Sequence, residues 1–448
     1  MKLNEVGEPA KGSWSSFLTR DGRLILLQVL LNSIPLGYMN VIPAVYLLEV
    51  GYSASVVGVI YASSAFSNTA GLTPFGFLAD KFGRKSFFLI GSFVPAISYV
   101  IFALTLNYYW LIVASVVGGV GVAGGIAVAM SGPALLPLLA NATSDRHRTA
   151  LFGATQAAWA VALTIGALLS YLPGFFMRYL LESSFNAHAL SYYVMAIFAA
   201  ASAIPVLFIR EQRKPRETQH ISEEAEAAAP ITQRRTAVSW ILDLPKSTRK
   251  LPISSTKITA KFSLVYALSG LGLGVIVQIL ASWYYLQFRI PESTAGLWIG
   301  LAEVASIPTI FMIPWLVRRR GTLNIAVGFL AISALFLGLM PLGDIFILAA
   351  SFYIVRCIFV NISWPVLQSY MMGIVNERER ATITGIATTA WGLANAIGTI
   401  IGGALLASGL LYLPFVIGFA GYIGSSAALW AFFRGVKPPE ELASRTQI

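Results

Sequence analysis

Apolar runs of about 20 residues or more, long enough to cross the ~30 Å hydrocarbon core of a bilayer as helices, recur along the whole chain. Inside that core every backbone N–H and C=O group needs a partner within the protein, so only helices and closed barrels span it. Barrel strands would appear as alternating segments of about ten residues, a pattern that this sequence lacks. The sequence therefore predicts an all-α integral membrane protein.

The charge content agrees with this prediction. Charged residues make up 11 % of the 448 residues, and the mean hydropathy is +0.72. A soluble domain of this length needs far more charge to cover its surface. We place twelve spanning helices at residues 24–50, 53–79, 86–106, 108–140, 149–172, 188–210, 258–287, 293–317, 322–341, 345–375, 381–406 and 411–434.

The predicted helices fall into two groups of six that are separated by a polar segment. Residues 211–257 are rich in Glu, Lys, Arg, Ala, Thr and Ser, which is typical of a solvated linker. The predicted organisation is a terminal segment 1–23, a six-helix bundle 24–210, the linker 211–257, a second six-helix bundle 258–434 and a terminal segment 435–448.

Basic residues are distributed unevenly across the predicted membrane domain. With the N-terminus in the cytoplasm, 28 of the 31 Lys and Arg residues lie on the cytoplasmic side, Arg178 and Arg289 lie outside, and Arg356 lies within a helix. This positive-inside bias predicts a multi-pass protein of the plasma membrane with both termini cytoplasmic. Because the net charge of +11 follows from topology, we expect these residues to meet the lipid bilayer and not nucleic acid.

The two predicted bundles share a sequence repeat. A shift of 232 residues, without a gap, aligns the region that begins at Pro133 with the region that begins at Pro365. Ten of the 34 aligned positions are identical, among them Trp159 with Trp391 and Gly166 with Gly398. Predicted helices four and five therefore recur as helices ten and eleven. Parallel repeats of six helices place a substrate path between the two halves, near the middle of the bilayer.

The loop between the second and third predicted helices carries the most specific motif. Residues 76–85 read GFLADKFGRK, which resembles the signature of the major facilitator superfamily, with Lys81 where arginine is usual. The motif residues of interest are Gly76, Asp80, Gly83, Arg84 and Lys85. The resemblance implies two six-helix halves and a secondary transporter, not an enzyme, that moves a small organic solute by alternating access. It further implies a monomer without a cofactor, with a small-molecule substrate and a coupling proton or cation.

Asp80 needs a positive partner. It lies at the C-terminal end of its predicted helix, where the helix dipole disfavours an anion. The resemblance implies that this partner is the N-terminus of helix eleven, near Arg378, Arg380 and Thr382, in a latch that closes the cytoplasmic side. Gly83 permits the tight reversal between the two helices.

The subfamily is left open by departures from other motifs. Drug/proton antiporters of the superfamily carry an arginine four residues before a Gly-x-Gly in helix four, and here Ser115 stands in that place before Gly119 and Gly121. A proton-coupled exporter of drugs or other lipophilic compounds is therefore the alternative to a transporter of another solute, and a channel or receptor ranks below both. No GxxxxGK[ST] loop for a nucleotide is present.

Polar residues within the predicted helices form the candidate substrate or coupling set. Glu303 and Arg356 come first, because each costs about 2.5–3.5 kcal/mol at the centre of a spanning helix. At 1.5 Å per residue they lie at similar depth, where a static salt bridge and a pair that takes part in transport are both open. The remaining candidates, which could equally form hydrogen bonds between helices, are Asn32, Gln156, Gln278, Asn361, Trp391 and Asn395.

No metal site is predicted. The single cysteine, Cys357, lies in an apolar run, and the histidines at positions 147, 188 and 220 are scattered along the chain. Neither residue type shows the spacing of metal ligands.

The predicted topology can be tested with single cysteines in a background that lacks Cys357. Ser184→Cys should react with an impermeant maleimide from outside intact cells, whereas Ser222→Cys should react only after permeabilisation. Labelling of position 222 from outside would overturn the twelve-helix topology with internal termini.

Overall fold

The computed structural model describes residues 19–143, 148–180, 183–210, 253–376 and 379–436. Most of the predicted linker and terminal segments lies outside these ranges. So does Arg378, one of the residues expected beside the latch.

The first half contains six helical segments. They are α1 (Arg20–Glu49), α2 (Ala54–Phe82), α3 (Arg84–Leu104), α4 in two pieces (Tyr108–Val117 and Gly125–Asn141), α5 (Arg148–Leu168, continued by Leu172–Tyr179) and α6 (Ser184–Leu207).

The second half contains six more. They are α7 in two pieces (Ile253–Gly274 and Leu280–Phe288), α8 (Glu292–Arg320), α9 (Thr322–Leu339), α10 (Phe346–Ile374), α11 (Arg380–Ala407) and α12 (Leu413–Phe433).

Length and hydropathy support the prediction of a helical membrane protein. Within the described residues, nine helices are long and apolar enough to cross a membrane, or ten when Glu292–Thr309 and Met312–Arg320 count as one span. The other two segments are α2 and the broken α4, whose pieces are apolar but short. The described part of the chain is therefore an all-α membrane fold, with nine or ten helices that can span a bilayer.

The glycine of the signature motif makes the turn that its position predicts. Gly83 has φ 111°, a value that favours glycine, and it links α2 directly to α3. Gly321 occupies the matching turn between α8 and α9 with φ 81°. The same tight reversal thus recurs in both halves.

Two of the predicted spans, 108–140 and 258–287, are interrupted helices. In α4 the break spans residues 118–124, where Gly119, Gly121 and Gly124 have positive φ. In α7 the helix stops at Gly274 and resumes at Leu280 after a short 3-10 turn.

Among the described residues, the large apolar cluster that both halves share lies at one end of the molecule. Near the loops at 50–53, 105–107 and 289–291, buried apolar side chains of both halves form one continuous cluster. At the opposite end, which carries the Gly83 and Gly321 turns, each half has its own separate cluster. We call these ends the closed face and the open face.

Within each half, glycines let the helices pack at close range. A Cβ on Gly166 of α5 would lie 1.9 Å from the carbonyl oxygen of Ile34 in α1. Its repeat partner Gly398 in α11 meets α7 in the same way, because a Cβ there would lie 2.7 Å from the Leu271 carbonyl oxygen. Both halves therefore contain a helix contact so close that only a glycine fits in it.

Gly166→Ala should destabilise the protein, because the added methyl group forces α1 and α5 apart. Overpacking of this kind costs about 1–3 kcal/mol. The matched control is Gly153→Ala on the same helix, where a Cβ meets nothing within 4 Å. Thermal unfolding of purified protein in detergent should show a lower Tm for the first variant only. Equal Tm values would contradict the close packing.

Candidate functional site

A cavity of about 110 Å³ lies between the two halves, about half-way along the helices. It is bordered by the break in α4, the break in α7 and the middle turns of α2 and α11. Its lining residues are Ala65, Asn68, Thr69, Ala123, Gln278, Trp391, Gly392 and Asn395.

The α4 break is held by serine side chains. Unwinding a helix in an apolar environment strands backbone N–H groups, and each needs a new partner. Ser64 of α2 accepts hydrogen bonds from the backbone nitrogens of Val120 and Gly125, both at 3.1 Å. Ser67 donates to the Val116 carbonyl oxygen at 3.1 Å. One helix thereby stabilises the break in its neighbour and places Ala123 at the cavity.

The α7 break is held by close contact with α11. A Cβ on Gly274 would lie 2.0 Å from the Asn395 carbonyl oxygen, so only glycine fits at this point. Just beyond it, the Gln278 side-chain nitrogen lies 3.4 Å from the Asn395 side-chain oxygen. Interrupted helices of this kind form the substrate sites of many secondary transporters.

Two amides at the cavity have atoms without a partner. Asn68 Oδ1 and Asn395 Nδ2 are buried, and neither makes a hydrogen bond within the described residues. A buried polar atom without a partner costs about 1–3 kcal/mol. Together these side chains offer a buried hydrogen-bond acceptor and donor to a polar group that enters the cavity.

An aromatic wall runs from the cavity into the second half, toward the open face. The ring centroids of Trp391 and Trp364 lie 5.8 Å apart, and those of Trp364 and Tyr266 lie 5.0 Å apart. Tyr266 is fully buried, whereas the two tryptophans are partly exposed. The wall can therefore stack against a flat apolar solute while the amides bond its polar groups.

The cavity is constricted in this conformation. Its volume is that of a few water molecules, since each water occupies about 30 Å³, and drug-sized ligands need pockets of about 300–1,000 Å³. The constriction comes from α2 and α11, where a Cβ on Gly392 would lie 2.0 Å from Thr69 Oγ1 and Gly58 packs on Gly403. Space for a larger solute therefore requires the halves to move apart.

The larger groove of about 460 Å³ lies elsewhere, between α3 and α6. Its lining is apolar and includes the exposed side chains of Phe93, Ile97 and Ile197. Because both helices belong to the same half, this groove is not a path between the halves.

The structure brings three of the eight predicted substrate or coupling residues together at the cavity: Gln278, Trp391 and Asn395. The other amides do not line it. Asn32 is partly buried in α1 with an unpaired oxygen, Gln156 is exposed on α5, and Asn361 is partly buried in α10.

Glu303 and Arg356 lie in the second half, away from the cavity. Arg356 is 3 % exposed and donates through Nη2 to the Tyr422 hydroxyl at 2.6 Å. Its charge acts on Glu303, but no nitrogen–oxygen distance between the two is 4.0 Å or less. The two residues are thus electrostatic neighbours without a direct ion pair.

The sequence pattern did not identify the partners of Arg356. Tyr422 of α12 also places its ring 5.3 Å from the guanidinium, and Cys357 Sγ lies 3.9 Å from Nη1. Neutral hydroxyl and thiol groups carry no charge signal in a sequence. A tyrosine that faces a buried arginine from another helix is distinguishable from an ordinary core tyrosine only in three dimensions.

The signature motif lies at the open face. Arg84 Nε donates to Asp80 Oδ1 at 2.8 Å, and the Asp80 side chain is 63 % exposed. Arg380, the first residue of α11, donates through Nε to the Val375 carbonyl oxygen at 3.3 Å. The ion pair of Asp80 in this conformation is therefore local, with the next helix of its own half.

A second polar group lies at the closed face and was not anticipated from the sequence. His188 of α6 places Nε2 3.1 Å from Glu292 Oε2 of α8, and Tyr46 stacks on the imidazole with a centroid distance of 3.7 Å. The carboxylate of Glu49 lies close by, with one ligand atom from each of the three ionisable residues within 4.8 Å of the others. The predicted topology could have suggested the group, because it places all three residues at ends of helices on one side.

Comparison with known proteins agrees with this architecture. The family model described as Major Facilitator Superfamily matches residues 25–355 and, in an overlapping match, residues 262–447. The quinolone resistance protein NorA of Staphylococcus aureus (strain MRSA252) is 23 % identical over 381 residues, which cover 83 % of this chain and 86 % of NorA.

Solved transporters have the same fold. The nucleoside transporter NupG aligns with a TM-score of 0.65 at 15 % identity, covering 93 % of this chain and 98 % of NupG. The D-xylose-proton symporter aligns with a TM-score of 0.67 at 17 % identity, covering 92 % of this chain and 97 % of the symporter.

Arg356→Gln should be strongly destabilising, because it removes the cation that Tyr422 and Glu303 face in a buried site. Loss of one member of a buried charged group costs about 3–5 kcal/mol. Tyr422→Phe is the matched control, since it removes only one hydrogen bond, worth about 0.5–3 kcal/mol. In thermal unfolding in detergent, Arg356→Gln should lower the Tm more than Tyr422→Phe does.

The double variant Glu303→Gln/Arg356→Gln separates a structural role from a transport role. A variant that recovers stability but remains inactive, or loses its pH dependence, assigns the two charges to transport. Recovery of both stability and full transport with unchanged pH dependence would show that they serve only to stabilise the second half.

Proposed function

The chain belongs to the major facilitator superfamily and is a secondary active transporter, and from that premise we propose that the cavity between Asn68 and Asn395 is its substrate site. The observation that carries the proposal is the pair of unsatisfied amides between two helix breaks. Their uncharged donor and acceptor groups favour a neutral organic solute. The aromatic wall of Trp391 and Trp364 favours one with a flat apolar part.

We further propose that both termini are cytoplasmic, so that the open face is the cytoplasmic face. The support is the distribution of Lys and Arg, 28 of 31 on the side of the termini. In this orientation the structure is an inward-facing state of a plasma-membrane transporter. Asp80, here bonded to Arg84, then exchanges this partner for the N-terminus of α11 when the cytoplasmic face closes.

The alternative, a proton-coupled exporter of lipophilic compounds, is favoured by one comparison. The chain aligns over most of its length with a protein named for quinolone resistance. Quinolones are flat aromatic compounds, which the aromatic wall could stack against. Ser115 in place of the antiporter arginine opposes this alternative.

Ligand binding to purified protein tests the site. Flat aromatic solutes, including a quinolone, are screened alongside sugars and nucleosides by thermal shift. For the solute that stabilises best, Asn395→Ala should weaken binding by about 3- to 10-fold, because one hydrogen bond contributes about 0.5–1.5 kcal/mol. Asn361→Ala, an amide outside the cavity, is the control. Equal affinities for the two variants would place the site elsewhere.

Transport by exchange is tested with the same solute. In proteoliposomes, internal unlabelled solute should drive counterflow of the radiolabelled form, and Asn395→Ala should slow it. Equilibration without saturation would indicate a channel instead of a carrier.

A further inference from the structure

The polar group at the closed face joins the two halves. We call Tyr46, Glu49, His188 and Glu292 the gate group. Tyr46 and Glu49 end α1, and His188 lies in the first turns of α6, all in the first half. Glu292 begins α8 in the second half. The contact between His188 and Glu292 can therefore exist only while the closed face is closed.

The geometry requires a proton between the two halves. His188 Nδ1 lies 2.8 Å from the Ser184 carbonyl oxygen, which can only accept, and 3.4 Å from Ser184 Oγ. The shorter contact requires a hydrogen on Nδ1. A neutral imidazole would then present the lone pair of Nε2 to a carboxylate oxygen 3.1 Å away. Two acceptors in contact repel each other, and this pair has little water, since His188 is 1 % and Glu292 7 % exposed. One hydrogen must therefore lie between Nε2 and the carboxylate.

Among the described residues, the groups that act most strongly on His188 include no cation that could substitute for this proton. The charged groups that act on His188 are Glu292 of α8 and Glu49 of α1, both acids. Tyr46 of α1 stacks on the ring, and the phenols of Tyr38 and Tyr192 lie in the field of Glu292. Of the arginines at this face, Arg178 of Leu172–Tyr179 stacks on Tyr179 and Arg289 stacks on Tyr285, and neither is among the groups that act most strongly on His188.

Opening of the closed face separates the pair. Glu292 then moves away with the second half, and both side chains meet water. A hydrated carboxylate with an ordinary pKa near 4.3 and a hydrated imidazole with one near 6.5 together hold no extra proton in a neutral medium. The closed form thus binds one proton more than the open form.

We propose that His188 and Glu292 form a proton-binding site that ties closure of the closed face to the uptake of one proton from the adjoining solution. This rests on the proposed alternation between two faces. Low pH then favours the inward-facing state, and high pH favours opening of the opposite face. For one proton, the ratio of closed to open molecules changes by up to tenfold per pH unit.

Spin labels measure this ratio directly. Ser53→Cys in the loop before α2 and Ser408→Cys after α11, in a background without Cys357, report the width of the closed face in nanodiscs. Between pH 6.5 and 8.5, above the ordinary pKa of the imidazole, the long-distance population should grow at the expense of the short one. Glu292→Gln should abolish this dependence, because its amide can donate to a neutral Nε2 without an added proton. Asp344→Asn, an exposed acid at the same face, should retain it.

The opposing results are equally clear. The proposal would be overturned if the distance populations of Glu292→Gln changed with pH as much as those of the protein with an unsubstituted gate group. So would a short-distance population that disappears on chelation with EDTA and returns with Zn²⁺, since Glu49, His188 and Glu292 would then bind a metal ion in place of the proton. His188→Asn is the second variant, and it too should lose the response.

A reversible cross-link separates this inference from the proposed function. His188→Cys with Glu292→Cys, joined by a reducible thiol-specific cross-linker that spans the gap left by the two side chains, should lock the closed face and stop counterflow until the linker is reduced. If the lock forms and counterflow continues, alternation about the cavity is wrong. If the lock stops counterflow but Glu292→Gln keeps its pH response, only the proton site is wrong.

Discussion

A backbone in hydrocarbon must satisfy its own hydrogen bonds, and the rest of this structure depends on how that requirement is met where helices break. Continuous helices need no outside help. The break in α4 does, and Ser64 of α2 supplies it with two accepted bonds. Such support is available only beside particular side chains, so the breaks in α4 and α7 occur where α2 and α11 pass. The cavity with its unpaired amides lies between the two breaks.

The polar groups outside the cavity differ in whether they bond within one half or between the two halves. Arg356 is enclosed within one half by Tyr422 and Cys357, so its environment need not change when the halves move. His188 and Glu292 bond across the halves and must separate in that movement. Asp80 bonds within its own half in the present state. A contact that crosses the boundary between halves must break when the halves move, whereas a contact within one half can persist.

The fold was predictable from the sequence because apolar runs, basic loops and the GFLADKFGRK motif each reflect a local requirement of membrane insertion or of a tight turn. Three cavity residues, Gln278, Trp391 and Asn395, were also predicted, since polar or repeated residues stand out against an apolar background. The helix breaks were not, although the glycines at positions 119, 121, 124 and 125 mark the first one. The contacts of His188 with Glu292, and of Arg356 with Tyr422, depend on helix rotation, which no run or spacing encodes.

The central claim is that the two faces open in alternation about a cavity between α2 and α11. Double electron–electron resonance in nanodiscs tests it with label pairs at the two ends of α2 and α11, Ser53→Cys/Ser408→Cys at the closed face and Phe82→Cys/Thr382→Cys at the open face. The account predicts a mainly short distance for the first pair and a mainly long distance for the second. Any added solute or pH change that lengthens the distance of one pair should shorten the distance of the other pair. Distances that change in the same direction, or one pair that stays fixed while the other moves, would contradict it.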